Sequence, residues 1–228
     1  RDGEILNAFR RSGGLIYERL YDALGLGKES MVKVGSEVFG KHYTEPFEFV
    51  PVKEGDEFHV GNFTLKVIEV PGHTPGQVNL YEPRHKILFS GDHILDEISP
   101  NITFWSYDFD SLGTYMGSLQ KVAAMDVALV LPAHRRAIAD HRSRIAELVC
   151  HHEERLREVA RILQEGKMTA AQVAAQMQWD VKFDSWEDFP QRQKWFAVGE
   201  AMSHLEHLVF CGKARRTVEE RKTFYELC

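Results

Sequence analysis

The fold of this chain is decided by Pro71-Gly72-His73-Thr74-Pro75-Gly76, then by Ser90-Gly91-Asp92-His93, and then by Leu131-Pro132-Ala133-His134. Each stretch follows a run of β-type residues and places a metal-capable side chain in a loop that contains Gly or Pro. Strands fix the positions of such loops, and the loops turn an imidazole or a carboxylate inward. Imidazole and carboxylate together suit zinc, or manganese and iron where carboxylates dominate. The pattern therefore predicts a metal site where these loops meet.

The residues around the three stretches predict a strand-rich block from about Phe47 to His134, with one amphipathic helix between Leu112 and Val122. Gly61-Asn62 has the composition of a tight hairpin turn. The predicted strands are Phe49–Val52, Glu57–Val60, Phe63–Val70, Gln77–Tyr81, Lys86–Phe89 and Val127–Leu131.

Helical patterns flank this block on both sides. Residues 1–45 indicate a short helical excursion. Asp140 can cap a long helix that ends at Gly166, Thr169–Gln172 is typical of a capping box, and Pro190 can occupy the first position of a third helix. Lys213–Leu227 alternates as a small hairpin does. We therefore predict two domains, residues 1–139 and residues 140–228, the second with a winged-helix-like shape.

Composition excludes several classes of protein. The 228 residues are 43% hydrophobic and 27% charged, as in a globular chain. No apolar run approaches the roughly 20 residues of a membrane helix, and the first residues lack the pattern of a signal peptide. Three widely spaced cysteines suggest neither a disulfide framework nor a metal knuckle, so a cytoplasmic location is expected. The net charge of −6 favours small substrates over nucleic acid.

The ordered motifs GHTPG, GDH and PAH, each after a predicted strand, resemble those of the metallo-β-lactamase superfamily. Residues 151–156 and 196–200 resemble the C-terminal domain of its β-lactamase-like 2 branch, although that match is weaker. The resemblance implies an α/β fold, namely the later part of a four-layer αββα sandwich followed by a winged-helix-like helical domain. It also implies a hydrolase with two metal ions, zinc in the first instance, with manganese or iron as alternatives.

The same resemblance assigns roles to three residues. His73 would be the third histidine on the first metal, Asp92 the carboxylate that bridges both metals and takes part in catalysis, and His134 the histidine on the second metal. A metal-bound hydroxide would attack a small ester, thioester or lactone-like substrate. His93, next to Asp92, would point the other way in an extended backbone, so we predict a supporting or surface role for it.

One part of the family pattern is missing. The HxHxDH motif, which supplies the other ligands, is absent from these 228 residues, and the earlier histidines, His42 and His59, are isolated. We therefore expect that the chain begins partway through the fold and that it is inactive as given, with one weakly held ion at most.

Several alternatives remain open at this point. The same branch allows hydrolysis of RNA phosphodiesters, and a degenerate member could serve as a non-catalytic binding module or homodimerise. RNA is not favoured as a partner, and no membrane partner is expected. Three aromatic residues after the Asp92 loop could form a substrate wall or part of the core: Phe104, Trp105 and Tyr107.

Overall fold

The computed structural model describes residues 50–182 and 184–228. The helical prediction for residues 1–45 lies outside this range. The described residues fall into two compact units, Val50–Glu154 and Arg155–Cys228. The predicted domain boundary at residue 139 stays a prediction. Within the described residues, no helix is both long enough and apolar enough to cross a membrane.

The first unit is built on a mixed five-stranded sheet in which the strands lie in sequence order. The first four strands pair antiparallel, and β5 pairs parallel to β4. This parallel pairing places the ends of β4 and β5 at the same edge of the sheet, where two of the three motifs lie. The strands are β1 Glu57–Val60, β2 Phe63–Glu69, β3 Val78–Glu82, β4 Ile87–Gly91 and β5 Leu129–Pro132.

The sequence placed these strands to within about two residues, with one exception. The β1–β2 hairpin turns at Gly61-Asn62, as predicted, and Gly61 has the positive φ that such a turn requires. The strand predicted over Phe49–Val52 is wrong for the described residues Val50–Val52, which belong to no strand. They lead instead into a turn in which the Lys53 backbone N–H donates to the carboxylate of Asp56.

One face of the sheet carries large apolar side chains that are open to solvent. Phe58, Val60 and Phe63 share this face through the β1–β2 register, and Phe89 joins them through β3. These four side chains are 40–59% exposed. The face is therefore apolar and accessible at these four positions, whereas Val67, which the register places on the same face, is buried.

Helix α1, Ser111–Ala123, supplies much of the core of the first unit. The side chain of Asp110 caps it by accepting from the Gly113 N–H. Four residues of the helix at helical spacing are fully buried: Leu112, Tyr115, Leu119 and Val122. Three strand residues are fully buried as well: Val67, Leu88 and Val130. Tyr115 also donates its hydroxyl to the His93 carbonyl at 2.9 Å.

Helix α2, His141–Ile162, begins at Asp140, whose carboxylate accepts from the Ser143 N–H as the cap prediction requires. A short 3₁₀ turn, Leu163–Glu165, brings it to Gly166. The capping box is confirmed: Thr169 and Gln172 bond reciprocally at the start of α3, Ala170–Gln176. Pro190 precedes helix α4, Gln191–Phe210, as its cap and does not occupy its first turn, which corrects that prediction.

A three-stranded sheet completes the second unit. The short β6, Met168–Thr169, adds to β8 of the predicted hairpin, which is confirmed as β7, Ala214–Glu219, and β8, Lys222–Leu227. The winged-helix comparison stays a prediction. Buried Glu206 on α4 accepts from the Tyr225 hydroxyl at 2.6 Å and pairs with Arg216. Part of the basic charge in this hairpin is therefore neutralised within the unit.

Candidate metal centre

The structure brings His73, Asp92 and His134 together around one carboxylate. The Nε2 atom of His73 lies 3.9 Å from Oδ2 of Asp92, and the Nε2 atom of His134 lies 3.5 Å from Oδ1 of the same residue. Each side chain follows a strand, since His73 comes after β2, Asp92 after β4 and His134 after β5. The three residues named from their motifs therefore converge at one point.

The orientation of the His73 ring follows from a single hydrogen bond. Its Nδ1 atom lies 2.9 Å from the Asn101 carbonyl oxygen, which can only accept, so Nδ1 carries the proton. In a neutral imidazole the other nitrogen, Nε2, then has a free lone pair. That lone pair is on the Asp92 side of the ring, which is the arrangement of a histidine that binds a metal through Nε2.

The backbone around His73 is held by close packing against α1. A Cβ built on Gly72 would lie 2.4 Å from the Cβ of Tyr115, and φ of Gly72 is +144°, so only glycine fits this position. Next to it, the Ser118 hydroxyl donates to the Pro71 carbonyl at 2.8 Å. The indole N–H of Trp105 donates to the His73 carbonyl itself at 3.0 Å. The loop therefore has little freedom to move His73.

His134 is carried by the end of β5, which is tied to the Asp92 loop. The Ala133 N–H donates to the Gly91 carbonyl at 3.0 Å, so the two loops stay in register beyond the parallel strands. Arg135 then adopts a left-handed φ of 71°, which turns the chain sharply after the histidine. The His134 side chain is 65% exposed and is thus the most accessible of the three.

The acceptor atoms of Asp92 and His73 have the chemistry of cation ligands. Oδ1 of Asp92 is inaccessible to solvent and accepts no hydrogen bond, although a buried polar atom normally has a partner. The Asp92 carboxylate and the Nε2 lone pair of His73 are both acceptors, and they face each other at 3.9 Å. A positive ion would satisfy both groups.

The set is nevertheless incomplete as a metal cage. Within residues 50–182 and 184–228, no group of three or more His, Cys, Asp and Glu side chains has an arrangement that could hold a metal ion by itself. The three residues can supply part of the ligands of one or two ions, and their assignment as ligands remains a proposal.

His93 is a core residue, and the alternative of a surface role is wrong. Its side chain is fully buried, and burial lowers its pKa to about 3, so it is neutral at physiological pH. Its Nδ1 atom lies 3.1 Å from Nδ2 of Asn79, and its ring packs edge-on against Tyr115. His93 therefore supports the Asp92 loop from inside the unit.

The three aromatic residues after the Asp92 loop have different surroundings. Trp105 is 36% exposed and is bonded to the His73 carbonyl, which places it beside the candidate centre. Phe104 and Tyr107 contact each other, with ring centroids 4.9 Å apart, and Tyr107 is 37% exposed. Their predicted part in substrate binding stays a prediction.

Two family models match parts of this chain. Residues 5–134 match the family model described as the metallo-beta-lactamase superfamily. This chain belongs to the metallo-β-lactamase superfamily. Residues 156–225 match a second family, described as the metallo-beta-lactamase-like C-terminal domain. The α/β fold class, the superfamily and the related C-terminal domain are thus confirmed.

Curated relatives of this superfamily member match it over part of their length. A beta-lactamase-like protein 2 homolog of Caenorhabditis elegans is 32% identical over 136 residues, which are 58% of this chain and 44% of the relative. A hydroxyacylglutathione hydrolase of Brucella anthropi is 56% identical over 41 residues, 18% of this chain and 16% of that protein. This metallo-β-lactamase homologue therefore spans less than half the length of these relatives.

Solved structures extend the likeness over nearly the whole of this superfamily member. The metallo-beta-lactamase family protein TTHA1429 of Thermus thermophilus superposes with a TM-score of 0.77 at 27% identity, over 96% of this chain and 67% of its own. A beta-lactamase domain protein of Burkholderia ambifaria gives a TM-score of 0.69 at 29% identity, over 86% of this chain and 60% of its own.

Sequence reasoning missed the residues that hold the candidate ligands in place. Asn101 contributes a backbone carbonyl, so no side-chain signal marks it. Trp105 is a substrate-wall candidate by its sequence position, but its bond to the His73 carbonyl spans 32 residues and follows no periodicity. Ser118 lies on the buried stripe of α1, where a polar residue among apolar ones is a signal that could have found it.

Proposed function

We propose that this chain carries the later part of the active site of a metal-dependent hydrolase that acts on a small ester, thioester or lactone-like substrate. The observation that supports this most directly is the Asp92 carboxylate, flanked by two imidazole Nε2 atoms at 3.5 and 3.9 Å with Oδ1 buried and unbonded. Zinc suits two imidazoles and a carboxylate, and manganese or iron remain alternatives.

The chain's own residues have separable roles in this proposal. Asp92 would hold the cation and, with further ligands, could bridge two. His73 and His134 would add neutral nitrogen ligands from either side. A bound divalent ion supplies Lewis acidity, which polarises a carbonyl group and lowers the pKa of a bound water.

The choice of substrate class draws on the relatives and on the charge. The hydroxyacylglutathione hydrolase, a thioester hydrolase, shares 56% identity over its 41 matched residues. The chain's net charge is −6, and its C-terminal hairpin pairs Arg215 with Glu226 and Arg216 with Glu206. These pairs leave less positive charge for a phosphodiester backbone, so a small acyl substrate is the better fit.

Metal binding by the 228-residue chain is the first test. Zinc titration of the wild type should reveal weak binding, and Asp92→Ala should weaken it at least about tenfold, because the shared carboxylate is lost. Asp126→Ala is the matched control, since that aspartate pairs with Lys86 on the surface and takes no part in the site. Equal zinc affinity in the two variants would remove the basis for the proposal.

Turnover is the second test. The 228 residues alone should not hydrolyse an ester, a glutathione thioester or a lactone when zinc or manganese is supplied, whereas a longer chain that also contains the HxHxDH motif should hydrolyse at least one of them. Turnover by the 228 residues that Asp92→Ala abolishes would contradict the expected inactivity. RNA cleavage with a steep salt dependence, in place of ester turnover, would transfer the assignment to the phosphodiester alternative.

A further inference from the structure

Residues 101–105 touch His73 at two separate points. The His73 ring donates from Nδ1 to the Asn101 carbonyl at 2.9 Å. In the opposite direction, the Trp105 indole N–H donates to the His73 carbonyl at 3.0 Å. One short segment, which we call the strap (residues 101–105), therefore fixes both the side chain and the backbone of a candidate ligand.

The geometry points to Trp105 as a positioning residue of the candidate metal centre: its indole N–H holds the strap against His73, and the strap keeps the Nε2 lone pair of His73 directed at Asp92. This inference rests on the proposed function, which makes His73 a ligand. It gives Trp105 a role beyond that of a substrate wall, because the bond it makes is to the ligand's own backbone.

The other supports of the His73 loop explain why this one bond matters. Ser118 fixes the Pro71 carbonyl, and the packing of Gly72 against Tyr115 fixes the next residue. Trp105 completes the sequence of anchors at residue 73. With the backbone held at three consecutive residues, only the side-chain torsions of His73 remain, and the Asn101 carbonyl restrains them.

The physical effect is on tautomer and orientation. A histidine that has lost its Nδ1–H acceptor can carry its proton on either nitrogen and can rotate, so its Nε2 lone pair points at a metal for only part of the time. Loss of such an outer contact typically weakens metal binding by about 10–100-fold. Because Trp105 contacts the backbone of His73 and not its ring, we expect zinc binding to weaken by the lower end of this range.

The test is Trp105→Phe, which keeps an aromatic ring and removes the N–H. Zinc titration should show binding about tenfold weaker than in the wild type. In metal-free protein, ¹⁵N NMR of the imidazoles should show the Nδ1-protonated tautomer of His73 in the wild type and a mixture in the variant. Trp186→Phe in the second unit is the matched control, and it should leave both readouts unchanged.

The outcomes separate this inference from the proposed function. If neither the wild type nor Asp92→Ala binds zinc, the proposed function fails, while the tautomer measurement still decides the role of Trp105. If zinc affinity and tautomer are both unchanged in Trp105→Phe, the positioning role is wrong.

A wild-type measurement covers the case in which Trp105→Phe does not fold. The hydrogen-bonded indole proton of Trp105 should exchange with solvent more slowly than that of a free indole, although the ring is 36% exposed. Exchange at the rate of a free indole would overturn the inference.

Discussion

Replacing Gly72 with alanine should strongly destabilise the first unit. The added Cβ would lie 2.4, 2.5 and 2.7 Å from three atoms of Tyr115, two of them backbone, so the loop and helix α1 must separate. Such overpacking costs about 1–3 kcal/mol. The φ of +144° costs a non-glycine residue a further 1–3 kcal/mol or so. The expected loss is therefore about 2–6 kcal/mol.

Urea denaturation at 25 °C, followed by the fluorescence of the chain, measures this loss directly. Gly117→Ala is the matched control, because Gly117 lies in the same helix, has no positive φ, and would place an added Cβ with no other atom within 4 Å. It should gain about 0.5–1 kcal/mol from helix propensity alone. If the free energy of unfolding of Gly72→Ala lies within about 0.5 kcal/mol of the wild-type value, the close approach of the loop to Tyr115 does not restrict residue 72.

Two further predictions concern stability. Burial lowers the pKa of His93 to about 3, below its ordinary value of 6.5. Between these two pH values His93 is therefore protonated in the unfolded chain and neutral in the folded chain. The contribution of His93 to the free energy of unfolding should be constant above about pH 7 and should fall as the pH falls from 6.5 towards 3. At pH 5 this contribution should be lower by about 2 kcal/mol. His93→Gln, compared in a buffer with chelator, should flatten that dependence, and an unchanged slope would show that His93 is not its source. Thr169→Ala should cost about 1 kcal/mol by thermal unfolding, since the Gln172 N–H loses its acceptor, whereas Gln176→Ala, beyond the cap, should cost less.

The sequence predicted what is encoded locally. The Gly61-Asn62 turn, the Thr169 capping box and the stripe of α1 each depend on residues within one or two turns of one another, and all three are present. The convergence of His73, Asp92 and His134 was predictable for a different reason, because each ligand-type residue lies at a strand end within a recognisable motif.

Contacts between distant residues could not be predicted in this way. The bond from Trp105 to His73 and the pair formed by Glu206 and Tyr225 depend on how elements pack, and neither residue pair leaves a periodic signal. His93 illustrates the limit from another direction. Alternation of side chains along an extended backbone predicted that His93 points away from its neighbour Asp92. It could not show that the side to which His93 points is the core, where the imidazole lies beside Asn79.

The open apolar face of the five-stranded sheet has a practical consequence at the bench. Four apolar side chains on this face are exposed to solvent in the folded chain: Phe58, Val60, Phe63 and Phe89. The fluorescence of dyes that bind hydrophobic surface should therefore increase when they are mixed with the folded protein, even when its unfolding transition is sharp and cooperative. Dye fluorescence would then be a poor criterion for discarding a preparation, and mild detergent or low protein concentration should keep the chain dispersed during purification.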